Sequence, residues 1–282
     1  MTAAILLALL TADLDPDAPT LHIGEIRTLE ECKTACEKSA RFAAPPARFG
    51  VWVTDVLPKS PIGRVTGPQL NGVIVSRVDR QAVRDLDQYA EQLSKLTPGE
   101  PVEVELYGLD KRAGRYVWIK KTADVTPETN AVAYPKAVSL RRDPVTALDI
   151  YQHPDDTDDT GIGLWVGRQG GTVVVVLRYR FVTDGVFFEE QLTVSSPTDK
   201  YETSLDTDDV TSDFHSLKGY HRGSETVGKE LYPAVLGLIE EGGVIRVHSH
   251  SNTYVDIEAT QADRDRMQVM LDTAKVMGWT AE

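Results

Sequence analysis

Two histidines separated by one residue form the clearest candidate site for chemistry in the sequence. His248 and His250 lie in a predicted strand, where side chains at positions i and i+2 project from the same face. Both imidazoles could therefore bind one metal ion, with a third ligand supplied by His215, His221 or Asp256. No second ligand pair at characteristic spacing accompanies them. Ordinary polar residues at the end of a hairpin are the alternative interpretation.

Two other segments suggest ligand binding but lack the complete patterns. The acidic run at 155–159 lacks the glycine and terminal glutamate of an EF-hand loop. The glycine-rich segment at 167–171 lacks the lysine and hydroxyl residue of a phosphate loop, and it precedes a predicted strand rather than a helix. We interpret them as a solvated loop and a hairpin turn.

Arg178 and Arg180 alternate along another predicted strand and face the same side. Cross-strand ion pairs with Glu189 or Glu190 explain them without a ligand. No Gly-x-Ser-x-Gly nucleophile turn occurs in this half of the sequence. We therefore assign no catalytic residue and expect no cofactor.

The composition excludes some classes of partner. The 282 residues carry a formal net charge of −13. Nucleic acids and anionic membranes attract cationic surfaces, so neither is expected as the main partner. The length allows two domains of ordinary size.

An apolar run at residues 3–10 is far shorter than the roughly 20 residues needed to span a bilayer. It is similar to the apolar segment of a secretory signal peptide, although no Lys or Arg precedes it. We expect residues 1–18 to be a leader and the protein to be extracytoplasmic, in the periplasm or secreted. A cytoplasmic protein with a partly buried N-terminal segment is the alternative.

Strands and helices alternate in the first half of the sequence. A short strand at 21–26 precedes an amphipathic helix at 28–41, which carries both cysteines, Cys32 and Cys36. Their spacing places the Cβ atoms about 5–6 Å apart, whereas a disulfide needs about 3.5–4.5 Å. We therefore predict two buried thiols. A second helix runs from the N-cap Asp85 to about Leu96.

An ordered series of motifs follows this first helix. The motifs, in chain order, are GVWV at 50–53, VLPKSP at 56–61, LNGVI at 70–74, VDRQAV at 78–83 and VEVEL at 102–106. Together with the helix from Asp85 and the Pro98-Gly99 turn, this series resembles a PDZ domain of the HtrA-protease type. With the preceding strand and helix, the resemblance covers residues 19–123. It does not extend to a protease domain.

The resemblance implies a groove for protein or peptide C-termini or extended segments. A peptide would add a strand beside residues 23–26, and the helix from Asp85 would form the opposite wall. The groove residues implied in this way are Leu21, His22, Ile23, Gly24, Glu25, Ile26, Leu86, Tyr89, Ala90 and Leu93.

The whole sequence therefore predicts an α+β protein with two domains. A linker is expected at 124–136, and a second domain at 137–282 contains a mainly antiparallel sheet and two helices. We expect a peptide-binding adaptor of bacterial type rather than an enzyme. The alternatives are a metal-dependent enzyme centred on His248 and His250, and a structural module whose PDZ groove is closed.

Overall fold

A computed structural model of the protein divides into two compact units, Met1–Val138 and Ser139–Glu282. Each unit combines helices with antiparallel sheets, which confirms the predicted α+β class. The structure describes residues 14–23, 26–38, 42–54, 56–67, 72–112, 115–143, 146–156, 161–184, 187, 189–205, 210–215, 218–249 and 253–281. Most of the predicted leader, residues 1–13, lies outside this set.

The first unit contains short strands and one long hairpin. Its strands are β1 Pro19–Thr20, β2 Ile26–Thr28, β3 Val51–Val53, β4 Val73–Val78, β5 Gln81–Ala82, β6 Val102–Arg112, β7 Arg115–Val125 and β8 Glu128–Thr129. Its helices are α1 Leu29–Glu37, α2 Pro61–Thr66, α3 Leu86–Ser94 and α4 Asn130–Ala137.

The main sheet of this unit has the antiparallel order β2-β3-β4-β6-β7, and β5 pairs with β4. The short strand β3 is buried on both faces. Val51 and Val53 contact one apolar cluster, whereas Trp52 contacts another that includes Trp118. The sheet therefore has apolar packing on both sides at its centre.

Local sequence signals determine where two of the helices begin. The Thr28 hydroxyl accepts a hydrogen bond from the Glu31 amide, and the Glu31 carboxylate accepts one from the Thr28 amide at 2.7 Å. This reciprocal arrangement is a capping box at the start of α1. At α3 the Asp85 carboxylate accepts a hydrogen bond from the Gln88 amide at 2.8 Å, which confirms the predicted N-cap.

The two cysteines of α1 are buried thiols and are not joined in a disulfide, as predicted. They lie in the apolar cluster that contains Trp52 and Trp118. Burial raises the pKa of both thiols, because an apolar environment disfavours the thiolate.

The segment at 124–136, expected to be a linker, contains ordered elements of the first unit. It holds the end of β7, all of β8 and most of α4, and β8 pairs with β1. The Asn130 side chain donates a hydrogen bond to the Asp15 carbonyl at 2.9 Å. The two compact units divide after Val138 instead.

The second unit contains two sheets. Its strands are β9 Ser139–Arg142, β10 Asp149–Gln152, β11 Gly161–Gln169, β12 Thr172–Asp184, β13 Glu189–Ser195, β14 Lys200–Ser204, β15 Val210–His215, β16 Lys218–Thr226, β17 Val244–Ser249 and β18 Tyr254–Glu258. Its helices are α5 Tyr232–Glu240 and α6 Gln261–Val276. The sheet orders are β15-β16-β12-β11-β10-β9 and β14-β13-β17-β18, both antiparallel.

The sequence also suggests a helix that opens at Ser224, and this prediction is wrong. Ser224 lies in β16, and the helix α5 begins eight residues later at Tyr232. Within β16, exposed Tyr220 and Arg222 alternate with buried His221 and Gly223. That period of two is the signature of a strand with one covered face.

Arg178 and Arg180, expected to pair with Glu189 or Glu190, both contact an aspartate. Both guanidinium groups face Asp156, at 3.8 Å and 3.4 Å. Asp156 belongs to the acidic run that was expected to be solvated, yet only 13% of its side chain is exposed. Residues 157–159 of that run lie outside the described residues.

One glycine of β16 makes room for a buried aromatic ring. Gly223 is the cross-strand partner of Tyr179, and a Cβ at this position would overlap the phenol ring. We expect Gly223→Ala to destabilise the protein by about 1–3 kcal/mol, because the fully buried ring must shift. Urea unfolding would measure the change. Gly228→Ala is the matched control, since a Cβ there meets no atom within 4 Å, and an equal effect of both variants would contradict the explanation.

Among the described residues, no helix is both long enough and apolar enough to cross a membrane.

Candidate peptide-binding groove

The edge of the main sheet in the first unit is formed by β2. This strand pairs with β3 on one side and is last in the strand order. The helix α3 lies against β1 and β2. An edge strand presents backbone N–H and C=O groups that can pair with another extended chain. The space between β2 and α3 is therefore the candidate groove.

Apolar side chains line this region without being fully covered. Ile26 on β2, Leu86 and Leu93 on α3, and Leu96 just after it are all partly buried against the same core cluster. Ala90, also on α3, is exposed. Four of the predicted groove residues thus retain surface that a ligand could contact, and Leu96 adds to them.

The segment that precedes β2, at one end of the candidate groove, differs from the predicted strand. A continuous strand was expected at 21–26, but Leu21, His22 and Ile23 form a buried loop after β1. The carbonyl of Leu21 accepts a hydrogen bond from the Ile62 amide at 2.8 Å. Because Ile62 belongs to α2, the backbone of the loop is held by a helix rather than by a strand partner. Gly24 and Glu25 lie outside the described residues.

His22 and Tyr89 join this loop to α3. The Tyr89 hydroxyl and His22 Nδ1 are hydrogen-bonded at 3.0 Å, and the ring centroids are 5.5 Å apart. Burial lowers the pKa of His22 to about 4 and raises the pKa of Tyr89, because both charged forms lose hydration. At neutral pH the contact is therefore a neutral hydrogen bond between the loop and α3.

Thr20 is a neighbour of the candidate groove that was not predicted from the sequence. Its hydroxyl donates to the His22 carbonyl at 2.7 Å and accepts from the His22 amide at 3.4 Å. A peptide C-terminus bound beside this loop would need backbone N–H donors such as this amide for its carboxylate. A threonine two residues before a loop amide is typical of a local side-chain turn, and this signal was present in the sequence.

The second candidate site, the pair His248 and His250, is described only in part. His248 lies on β17 and is half-buried, with its ring centroid 6.1 Å from that of Tyr254. Asp256, a predicted third ligand, is instead paired with Arg246 at 2.6 Å. His250 lies outside the described residues. Within the part of the chain that is described, no group of three or more His, Cys, Asp or Glu side chains is arranged to hold a metal ion.

Comparison with known proteins yields no assignment: no protein-family model matches the chain, and no curated protein matches it.

Proposed function

We propose that the first unit binds an extended peptide segment, which adds as a strand to β2 and places apolar side chains against α3. The observation that carries this proposal is the position of β2 at the edge of the sheet beside α3. Main-chain hydrogen bonds would supply affinity, and alternate side chains of the ligand would supply specificity.

The partly buried residues support a ligand with apolar side chains. Ile26, Leu86, Leu93 and Leu96 provide apolar surface that the folded unit does not cover completely. Removing such surface from water favours the formation of a complex. A strand that is polar on the side facing α3 would lose this contribution.

The inner loop favours an internal segment over a free C-terminus. The His22 amide is already bonded to Thr20, and the His22 side chain is bonded to Tyr89. A terminal carboxylate needs unoccupied donors in place of the water that it loses. We therefore propose that amidation of the peptide C-terminus changes the affinity little.

A peptide-binding assay on the full chain tests the proposal. A displayed library of extended segments identifies ligands, and fluorescence anisotropy then gives Kd for the best ones. We expect Leu93→Glu to weaken binding at least about tenfold, which corresponds to 1.4 kcal/mol, because a carboxylate would lie against the apolar ligand face.

Leu140→Glu is the matched control, since Leu140 is 56% exposed on β9 of the second unit. It should leave Kd unchanged. Binding that ignores Leu93→Glu, or that Leu140→Glu weakens equally, would show that the ligand does not occupy this groove.

A further inference from the structure

A chain of hydrogen-bonded polar side chains crosses the apolar interior of the second unit. Thr183 Oγ1 lies 3.0 Å from His221 Nε2, and His221 Nδ1 lies 3.1 Å from Glu189 Oε1. The second carboxylate oxygen of Glu189 accepts a hydrogen bond from the Tyr179 hydroxyl at 3.2 Å. The order hydroxyl, imidazole, carboxylate is that of a nucleophile, its general base and the group that orients the base.

Both sheets of the unit contribute to this chain. Tyr179 and Thr183 lie on β12, and His221 lies on the neighbouring strand β16. Glu189 begins β13 of the other sheet. The folded unit therefore assembles groups that are up to 42 residues apart in the sequence.

Burial and aromatic packing fix the orientation of the imidazole. The His221 side chain is 0% exposed and the Glu189 side chain 1%. The Phe181 ring stacks on the imidazole with centroids 4.7 Å apart, and Phe187 contacts it edge-on at 5.7 Å. Buried polar groups cost stability unless their partners are in place, and fully paired networks hold a single geometry.

The hydroxyl end of the chain differs from the rest. Thr183 is partly exposed near the end of β12, whereas Tyr179 and His221 are buried. When the Glu189 carboxylate accepts the proton of Nδ1, the lone pair of Nε2 points to the Thr183 hydroxyl. The arrangement therefore directs a base at a hydroxyl group that solvent can approach.

We propose that Thr183 is a nucleophile for acyl transfer, with His221 as its general base and Glu189 as a positioning residue. Thr183 Oγ1 attacks the carbonyl carbon of an ester, and its proton passes to His221 Nε2. The C–O bond of the ester then breaks, and the leaving alcohol takes that proton from His221. Water attacks the acyl-threonine by the same route, releasing the acid and restoring the hydroxyl.

The surroundings indicate the class of substrate. Phe187 is only partly buried and presents apolar surface beside the imidazole of the general base. A short apolar acyl group on a good leaving group fits this chemistry. The activity would be additional to peptide binding by the first unit and does not depend on it.

Covalent labelling of the full chain with a fluorophosphonate tests the nucleophile directly. Thr183 Oγ1 would form the O–P bond, fluoride would leave with the P–F electron pair, and the proton would pass to His221. Mass spectrometry of the digested protein should find the label on Thr183. Thr183→Val, which keeps the shape and lacks the hydroxyl, should lose the label, and Thr183→Ser should retain it. Thr172→Val, at an exposed position of β12, is the matched control and should label like the wild type.

Kinetics with p-nitrophenyl butyrate test the two other roles. We expect His221→Gln to lower kcat by at least about 100-fold, the usual contribution of a general base. At pH 8, above the raised pKa of about 7, the Glu189 carboxyl is ionised, and there Glu189→Gln should lower kcat while KM stays within about twofold, because the charge that orients the base is lost and the binding surface is retained. Far-UV circular dichroism establishes that each variant is folded. A label on another residue, equal labelling of Thr183→Val, or no labelling of the folded wild type would overturn the proposal.

Discussion

Replacing His22 with glutamine should make the free energy of unfolding fall by about 3 kcal/mol less than in the wild type when the pH is lowered from 6.5 to 4. Burial lowers the pKa of this histidine from 6.5 to about 4. In that range the unfolded chain binds a proton that the folded protein does not bind. The contribution of His22 is therefore complete above pH 6.5 and is lost as the pH falls toward 4.

Urea unfolding of wild type and His22→Gln at pH 7 and pH 4 measures this difference. Glutamine can still hydrogen-bond to the Tyr89 hydroxyl, so the comparison isolates the titration. Leu140→Gln, at an exposed position that carries no titratable group, is the control and should keep the pH dependence of the wild type. Equal pH dependence of the two proteins would show that His22 binds its proton at the same pH in the folded protein as in the unfolded chain, and would contradict the lowered pKa.

Replacing Glu189 with glutamine should also remove about 3 kcal/mol of pH dependence, but of a loss of stability that occurs as the pH rises. Burial raises the pKa of Glu189 from 4.5 to about 7. Between these values the folded protein retains a proton that the unfolded chain releases. The stabilising contribution is therefore complete below pH 4.5 and is lost as the pH rises through 7. This loss of unfolding free energy amounts to about 3 kcal/mol in the wild type and should be absent from Glu189→Gln.

The measurement compares unfolding free energies at pH 4.5 and pH 7.5. Burial lowers the pKa of His221, which opposes this trend in part, and that residue is present in both proteins. Leu140→Gln, at an exposed position without a titratable group, again serves as the control and should follow the wild type. If unfolding free energy depends on pH in the same way in Glu189→Gln and in the wild type, the raised pKa of Glu189 would be contradicted.

Features that depend on nearby residues were predicted well from the sequence. The N-cap Asp85 was identified because its partner, the Gln88 amide, is three residues away. The last helix, Gln261–Val276, follows a capping threonine and carries apolar residues at helical spacing, and both signals are visible in the sequence. The leucines of α3 were found in the same way.

Features that depend on distant residues were not predictable in this way. His22 and Tyr89 are 67 residues apart, and nothing in either local pattern indicates that they meet. Arg178 and Arg180 both contact a loop aspartate on another part of the chain, whereas strand alternation suggests only partners on neighbouring strands. The polar chain from Tyr179 to Thr183 requires the pairing of β12 with β16, which periodicity does not determine.

The two thiols of α1 have a practical consequence for chemical labelling. Maleimides and iodoacetamide react with exposed thiolates, and Cys32 and Cys36 are both buried with raised pKa values. They are also the only cysteines of the chain. A cysteine introduced at an exposed position would therefore be the fastest-reacting thiol, so a fluorophore or spin label could be attached at one chosen site without removing the native residues.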